Sequence, residues 1–403
     1  MPKLAAPAAP AILMAAALFS MLPNPSAGAA TESVVYRFKS PADAVAPEGD
    51  LIDVNGTLFG TSYFGGGTRC NRGYGCGAVF SVTPSGVEML VDGLRRGGKT
   101  GSGPEYVWGG LAQIGNYLYG TSLFGGGTGC GGTGCGTVFR ARLSGGGKAI
   151  YAFRGGSDGA QPWAGPINVD GTLYGTTQLG GGGGGSYCTG GCGVVFKITP
   201  DGTETVLHAF QGRSDGANPV GGLIDVGGVL YGLTTYGGTP GAGTVYSITP
   251  AGVETVLYAF GGSTGDAGFP LDGLAELGGV LYGTTVLAAA HGGGAVFKVT
   301  TAGVETVLYS FTGGSDGGQP TARLASLGGK LYGTTTIGGS GNDEGVGTVF
   351  SVTPTGEFKV VYTFLGEPDG SLPWGGLLNV GGTLYGTTAE GGTGYGTVYS
   401  VKP

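Results

Sequence analysis

One five-residue phrase, Leu-Tyr-Gly-Thr-Thr or a close variant, recurs seven times, centred on Gly60, Gly120, Gly175, Gly232, Gly283, Gly333 and Gly386. The spacings are 60, 55, 57, 51, 50 and 53 residues. A period near 50 residues built from short strands predicts small sheets repeated around an axis, an all-β seven-bladed β-propeller. In residues 220–260 the unit divides into four antiparallel strands: a at 223–226, b at 229–235, c at 243–249 and d at 253–260. Strands a and b are joined by Asn55-Gly56, Gly115-Asn116, Asp170-Gly171 and then Gly-Gly four times. These residues tolerate the positive φ that a tight hairpin needs. Strand d alternates, with Val256, Tyr258 and Phe260 expected on one side. Tyr119, Tyr174, Tyr231, Tyr282, Tyr332 and Tyr385 hold one position of strand b, with Phe59 in the first copy. Phe80, Phe139, Phe196, Phe297 and Phe350 hold one position of strand c. Aromatics in register predict sheet-on-sheet packing between blades.

The chain ends predict the closure. Residues 34–38 match strand d and residues 396–401 match strand c. The chain therefore reads d, six full units, then a, b and c, so that the first strand completes the last blade. Closure removes the sheet edges that invite aggregation. Residues 31–403 read as one domain with no linker.

Composition excludes some partners. Of 403 residues 95 are glycine and 21 proline, a share that without a period would suggest low complexity. Here the glycines recur in register with aromatic and β-branched residues. Net charge is −7 with 11% charged residues, and no basic cluster invites nucleic acid.

Residues 1–30 read as a signal peptide. Lys3 gives a positive start, residues 11–22 are an apolar run too short to span a bilayer, and Ala27-Gly28-Ala29 has the form of a cleavage site. No later segment reads as a transmembrane helix. The mature chain is expected to be secreted or periplasmic, and monomeric. Six cysteines fall in three local pairs, Cys70/Cys76, Cys130/Cys135 and Cys188/Cys192. An even count in an exported chain predicts disulfides. Zinc, the rival, wants four ligands at tighter spacing, and neither His208 nor His291 is near a cysteine in sequence.

The phrases Leu-Tyr-Gly-Thr-Thr, Gly-Thr-Val-Phe-Ser-Val-Thr-Pro and Glu-Thr-Val-Leu-Tyr-Ser-Phe resemble the GloVer tandem-repeat proteins over residues 34–403. The layout is also similar to kelch-type blades, apart from their glycine pair and tryptophan. The resemblance implies the fold and export from a bacterial cell. It implies no activity for named residues. Members often carry a C-terminal anchor, whereas this sequence stops at Pro403 after strand c.

Function is expected where the copies differ. The d–a and b–c connections lie on one face of a four-stranded propeller. The b–c loops of blades 1, 2 and 3 are the longest, at 14, 13 and 15 residues, and each holds a cysteine pair. Just before strand a, one register position holds Glu48, Trp108, Trp163, Val220, Leu271, Thr321 and Trp374 in blades 1 to 7. The tryptophans therefore fall on an arc of blades 7, 1, 2 and 3. Indole rings cover the C–H face of a sugar, and carboxylates or hydroxyls take its rim. Glu48, Asp50, Glu105 and Tyr106 are the rim candidates, and the expected partner is a polysaccharide or cell-surface glycan. An Asp-x-x-x-Pro repeat (Asp43, Asp158, Asp215, Asp266, Asp316, Asp369) reads as turn chemistry. No metal-binding, cofactor or nucleophile motif is present. An alternative is a polysaccharide-cleaving lyase or glycoside hydrolase using Glu48, Asp50, Glu105, Asp272, His291 or Arg323. A third is a secreted scaffold for another protein.

Overall fold

The computed structural model describes residues 30–67, 70, 73–95, 103–184, 188–261, 265–288, 290–339 and 345–403. The expected signal peptide lies outside the described residues, apart from Ala30. Seven four-stranded antiparallel sheets form a seven-bladed β-propeller. In blade 4 the strands are Ile224–Val226, Val229–Thr234, Thr244–Ile248 and Glu254–Ala259. Blade 7 joins the two chain ends: Thr31–Arg37 pairs antiparallel with Thr397–Lys402, setting Val34 opposite Tyr399. Among the described residues no α-helix occurs, and no helix is long and apolar enough to cross a membrane.

The recurring phrase is explained residue by residue. Its leucine is buried in every blade, as at Leu58 and Leu281. Its tyrosine packs into the next blade: Tyr231 of blade 4 clusters with Leu281 and Phe297 of blade 5. Its glycine lies beneath the strand c aromatic. Gly175 pairs with Phe196, and a Cβ there would lie 2.6 Å from the ring. The first threonine bridges to the next blade, as Thr121 Oγ1 donates to the Ala164 carbonyl at 2.8 Å. The second ends the strand by donating to the carbonyl two residues on, as Thr177 does to Leu179 at 2.9 Å.

Between blades, a strand d phenylalanine meets the next blade's strand c ring edge to face. Phe260–Phe297 has a centroid separation of 5.0 Å and Phe364–Tyr399 the same. At the junction of blades 1 and 2 Leu94 takes the phenylalanine's place, beside Phe139. The simple alternation expected of strand d is interrupted. In blade 4 the register shifts between Val245 and Tyr246, leaving Leu257 as a bulge, and every other blade shifts at the same place. A bulge adds twist to the outer strand. The polar third residue of strand a caps the a–b turn: Asp225 Oδ1 accepts from Gly228 N at 3.1 Å, and Asn379 Oδ1 from Gly382 N at 3.1 Å.

Candidate functional site

The d–a connections carry a feature that sequence reasoning missed. In all seven blades the residue two before the variable position is left-handed: Ala46, Tyr106, Gln161, Asn218, Phe269, Gln319 and Leu372, with φ between 51° and 60°. Bulky non-glycine residues are uncommon there, and six of these precede proline, which favours extended backbone. Two main-chain hydrogen bonds hold each one. Tyr106 N donates to the Cys76 carbonyl of the preceding blade at 2.7 Å, and its carbonyl accepts from Leu123 N at 2.9 Å. The kink turns the chain so that the next-but-one side chain faces the axis.

Glu48, Trp108, Trp163, Val220, Leu271, Thr321 and Trp374 accordingly meet at the mouth of the central channel. There they line one cavity of about 380 Å³ together with Gln178 and the glycines below. The three indoles are partly exposed. They form a corner: Trp108 lies 5.0 Å from Trp163 and 5.8 Å from Trp374, centroid to centroid. Tyr63 touches Trp108 edge-on at 5.7 Å, and Trp163 Nε1 donates to Gln178 Oε1 at 2.7 Å. Glu48 sits in blade 1 between the blades bearing Trp374 and Trp108. Its Oε2 is shut off from solvent and has no hydrogen-bond partner. Burial alone pushes its carboxyl up to about 8.

The floor is charged. Two residues below the variable position stand Gly110, Gly165, Gly222, Gly273 and Gly376 in five blades, but Asp50 in blade 1 and Arg323 in blade 6. One residue below it the blades have glycine or alanine, except Asp272 in blade 5. These three exceptions meet. Arg323 Nη2 lies 3.5 Å from Asp50 Oδ2, and Arg323 N donates to Asp272 Oδ2 at 2.8 Å. Gly376 N donates to Asp50 Oδ1 at 2.6 Å, and a Cβ at Gly376 would sit 2.8 Å from that oxygen. Glycine there makes room for the pair. Burial, then the Asp50 charge, pushes Asp272 up, while Arg323 pulls it down.

Other sequence candidates are placed elsewhere. Glu105 is buried in the short pair of Pro104–Glu105 with Phe124–Gly125. Tyr106 packs its ring on Tyr63, Phe64 and Phe124, and neither residue is among those lining the cavity. His291 is exposed in the blade 5 b–c loop and also lies apart. The three cysteine pairs are disulfides with Cα separations of 5.1, 5.3 and 4.8 Å. They border the site one blade along. The carbonyls of Cys76, Cys135 and Cys192 accept from Tyr106, Gln161 and Asn218, two residues before Trp108, Trp163 and Val220.

The repeated aspartates are structural. Tyr36, Tyr151, Tyr258, Tyr309 and Tyr362 donate to Asp43, Asp158, Asp266, Asp316 and Asp369 at 2.8–3.1 Å. His208 lies 3.4 Å from Asp215 in the same role. At several junctions a glutamate opening the next strand d joins the group: Glu32, Glu88 and Glu305 are each pushed up to about 7, by burial first and then by the aspartate. Among the described residues no group of three His, Cys, Asp or Glu side chains could hold a metal ion.

Comparison with known proteins agrees with the repeat. No curated protein matches the chain. Among solved structures, it is similar to a gluconolactonase from Xanthomonas campestris at 11% identity, over 93% of this chain and 89% of that one, with a TM-score of 0.43. It is also similar to a luciferin-regenerating enzyme at 15% identity, over 83% of this chain and 100% of that one, with a TM-score of 0.43. At such identities neither enzyme's chemistry is carried to this chain. The family model of the Gloeobacter/Verrucomicrobia repeat matches residues 131–346, and the chain belongs to that family.

Proposed function

We propose that the protein is a secreted propeller that binds extracellular or cell-surface carbohydrate in the axial cavity. The observation that carries this reading is the meeting of Trp108, Trp163, Trp374 and Glu48 in a single cavity of about 380 Å³. That size suits one or two sugar rings, in the range of small-ligand sites. Indole faces take the C–H side of a pyranose, and the carboxyl of Glu48 and the amide of Gln178 serve its hydroxyls. Glu105 and Tyr106 support the wall rather than the ligand. Three disulfides fit an oxidising compartment, so export is part of the proposal.

Titration with a panel of oligosaccharides should quench tryptophan fluorescence. A wild-type protein that answers none of them loses this reading. A second reading is favoured by Glu48, whose carboxyl, held protonated at neutral pH, has the character of a general acid. A reducing-end assay on the same panel separates a glycoside hydrolase from a binder.

A further inference from the structure

The cavity is charged unevenly. Three acidic side chains line it, Glu48, Asp50 and Asp272, against one basic, Arg323. Arg323 is already engaged: its guanidinium faces Asp50 at 3.5 Å, and its backbone N–H holds Asp272. Asp50 is further fixed by the Gly376 N–H. Glu48 differs from both. Arg323, the one basic side chain at the cavity, is paired with Asp50 and not with Glu48, whose Oε2 is closed off without a hydrogen-bond partner while the residue still lines the cavity. Trp108 and Trp374 line the same cavity, and indole ring faces attract cations through their quadrupoles. A carboxyl in search of a positive charge, placed among indoles, is the chemistry of an ammonium site. A sugar carboxylate would meet three acids and one occupied arginine, so acidic glycans are disfavoured.

We infer that the sugar held in this cavity bears a positively charged amino group, set against the indoles with Glu48 as its counter-ion. The inference rests on the glycan reading of the same cavity and narrows it to amino sugars.

Proton linkage follows with a definite sign. The carboxyl of Glu48, held up at about 8 by burial, is largely protonated in the free protein at pH 6–7. An ammonium group favours its ionised form, so below the amine's own pKa binding expels a proton and tightens as pH rises, by up to about tenfold per pH unit, and the dependence levels off once the free amine is itself neutral. The other charged groups lining the cavity are Asp50, Asp272 and Arg323, with Tyr63 at the side; Asp272, pushed up to about 7 by burial and then by Asp50, keeps a pH dependence of its own in a Glu48→Gln protein. Tyr63 is raised above 10 and does not titrate in this range.

The test compares glucosamine tetramer, N-acetylglucosamine tetramer and cellotetraose by fluorescence titration and calorimetry, with tetramethylammonium as a separate probe. At about pH 6, where the free amine is charged, it should bind at least tenfold more tightly than the other two sugars and release a proton. Glu48→Gln, which keeps the shape, should weaken the amine at least tenfold and flatten its pH dependence. Any loss for the neutral sugar should be smaller than the loss for the amine. If the acetylated or neutral tetramer binds as tightly as the amine, the ammonium inference is overturned and the glycan reading stands. If tetramethylammonium binds and no sugar does, the glycan reading falls and the amino-sugar inference falls with it. A Glu48→Gln protein that keeps both affinity and pH dependence for the amine removes Glu48 as counter-ion and overturns the inference.

Discussion

Carboxyl groups sit at the outer rim of the ring and at its axis, and the two sets obey different rules. At the outer rim, Asp43, Asp158, Asp266, Asp316 and Asp369 each hold a tyrosine hydroxyl, in register around the ring. At the axis Glu48, Asp50 and Asp272 each occur once, at positions filled elsewhere by apolar residues, threonine, glycine or alanine, and in one blade by Arg323. Rim glutamates are pushed up by burial and by a neighbouring aspartate, with tyrosine as a partner. Glu48 is pushed up by burial alone, with no partner for its buried oxygen. The rim is a joint made six times. The axis is a site made once.

This contrast can be broken or sharpened by substitution. Phe297→Ala removes a fully buried ring that packs on Phe260 in the joint between blades 4 and 5. It should cost about 3–5 kcal/mol of stability in denaturant unfolding and leave the ligand affinity of folded protein unchanged. Trp108→Ala should do the reverse. It touches both other indoles and Tyr63 at the cavity. Glycan affinity should fall by about 1–3 kcal/mol, with a smaller loss of stability than Phe297→Ala.

Breaking Cys188–Cys192 by double serine substitution opens a loop of sequence separation 4. Chain entropy for so small a loop amounts to about 2 kcal/mol, and the loss of stability should not exceed that. Because the Cys192 carbonyl holds the segment leading to Val220, the affinity loss should stay below that of Trp108→Ala.

The smallest effect is the titration of the rim. Glu32, Glu88 and Glu305 have folded values of about 7, above the unfolded value for glutamate. Their protonated forms therefore stabilise the fold below pH 4. That contribution is lost as pH rises through about 7. All three are half-exposed, so each contributes no more than about 1 kcal/mol after solvent screening. Unfolding midpoints should be higher at pH 5 than at pH 8, and Glu305→Gln should flatten part of the slope. A stability that rises over this range would show that the rim carboxyls do not share protons in this way.

Much of the ring is legible in the amino-acid sequence. Asn55-Gly56 and Gly227-Gly228 require positive φ at both central residues, and both have it. The match of residues 34–38 to strand d is realised as the pairing of Thr31–Arg37 with Thr397–Lys402. Cysteine spacing leads to the right three disulfides. The bulge at Leu257 is not legible, because Val256, Leu257 and Tyr258 are consecutive hydrophobic residues that a regular strand carries equally well. The left-handed turns at Phe269 and Leu372 are hidden too, since those residue types and the proline after them both argue against that conformation.

By itself, the sequence determined the number of blades, the strand order, the closure and the register position at which the blades differ. These depend on alternation and turn conformation, which are settled within a few residues of chain. Only the tertiary structure decided that this register position faces the axis, that Glu48 shares one cavity with three indoles, and that Asp50, Asp272 and Arg323 meet on one floor. Residues 50 and 323 come together because seven small rotations between blades sum to a closed ring. No local pattern in the chain records where such a sum will place a side chain.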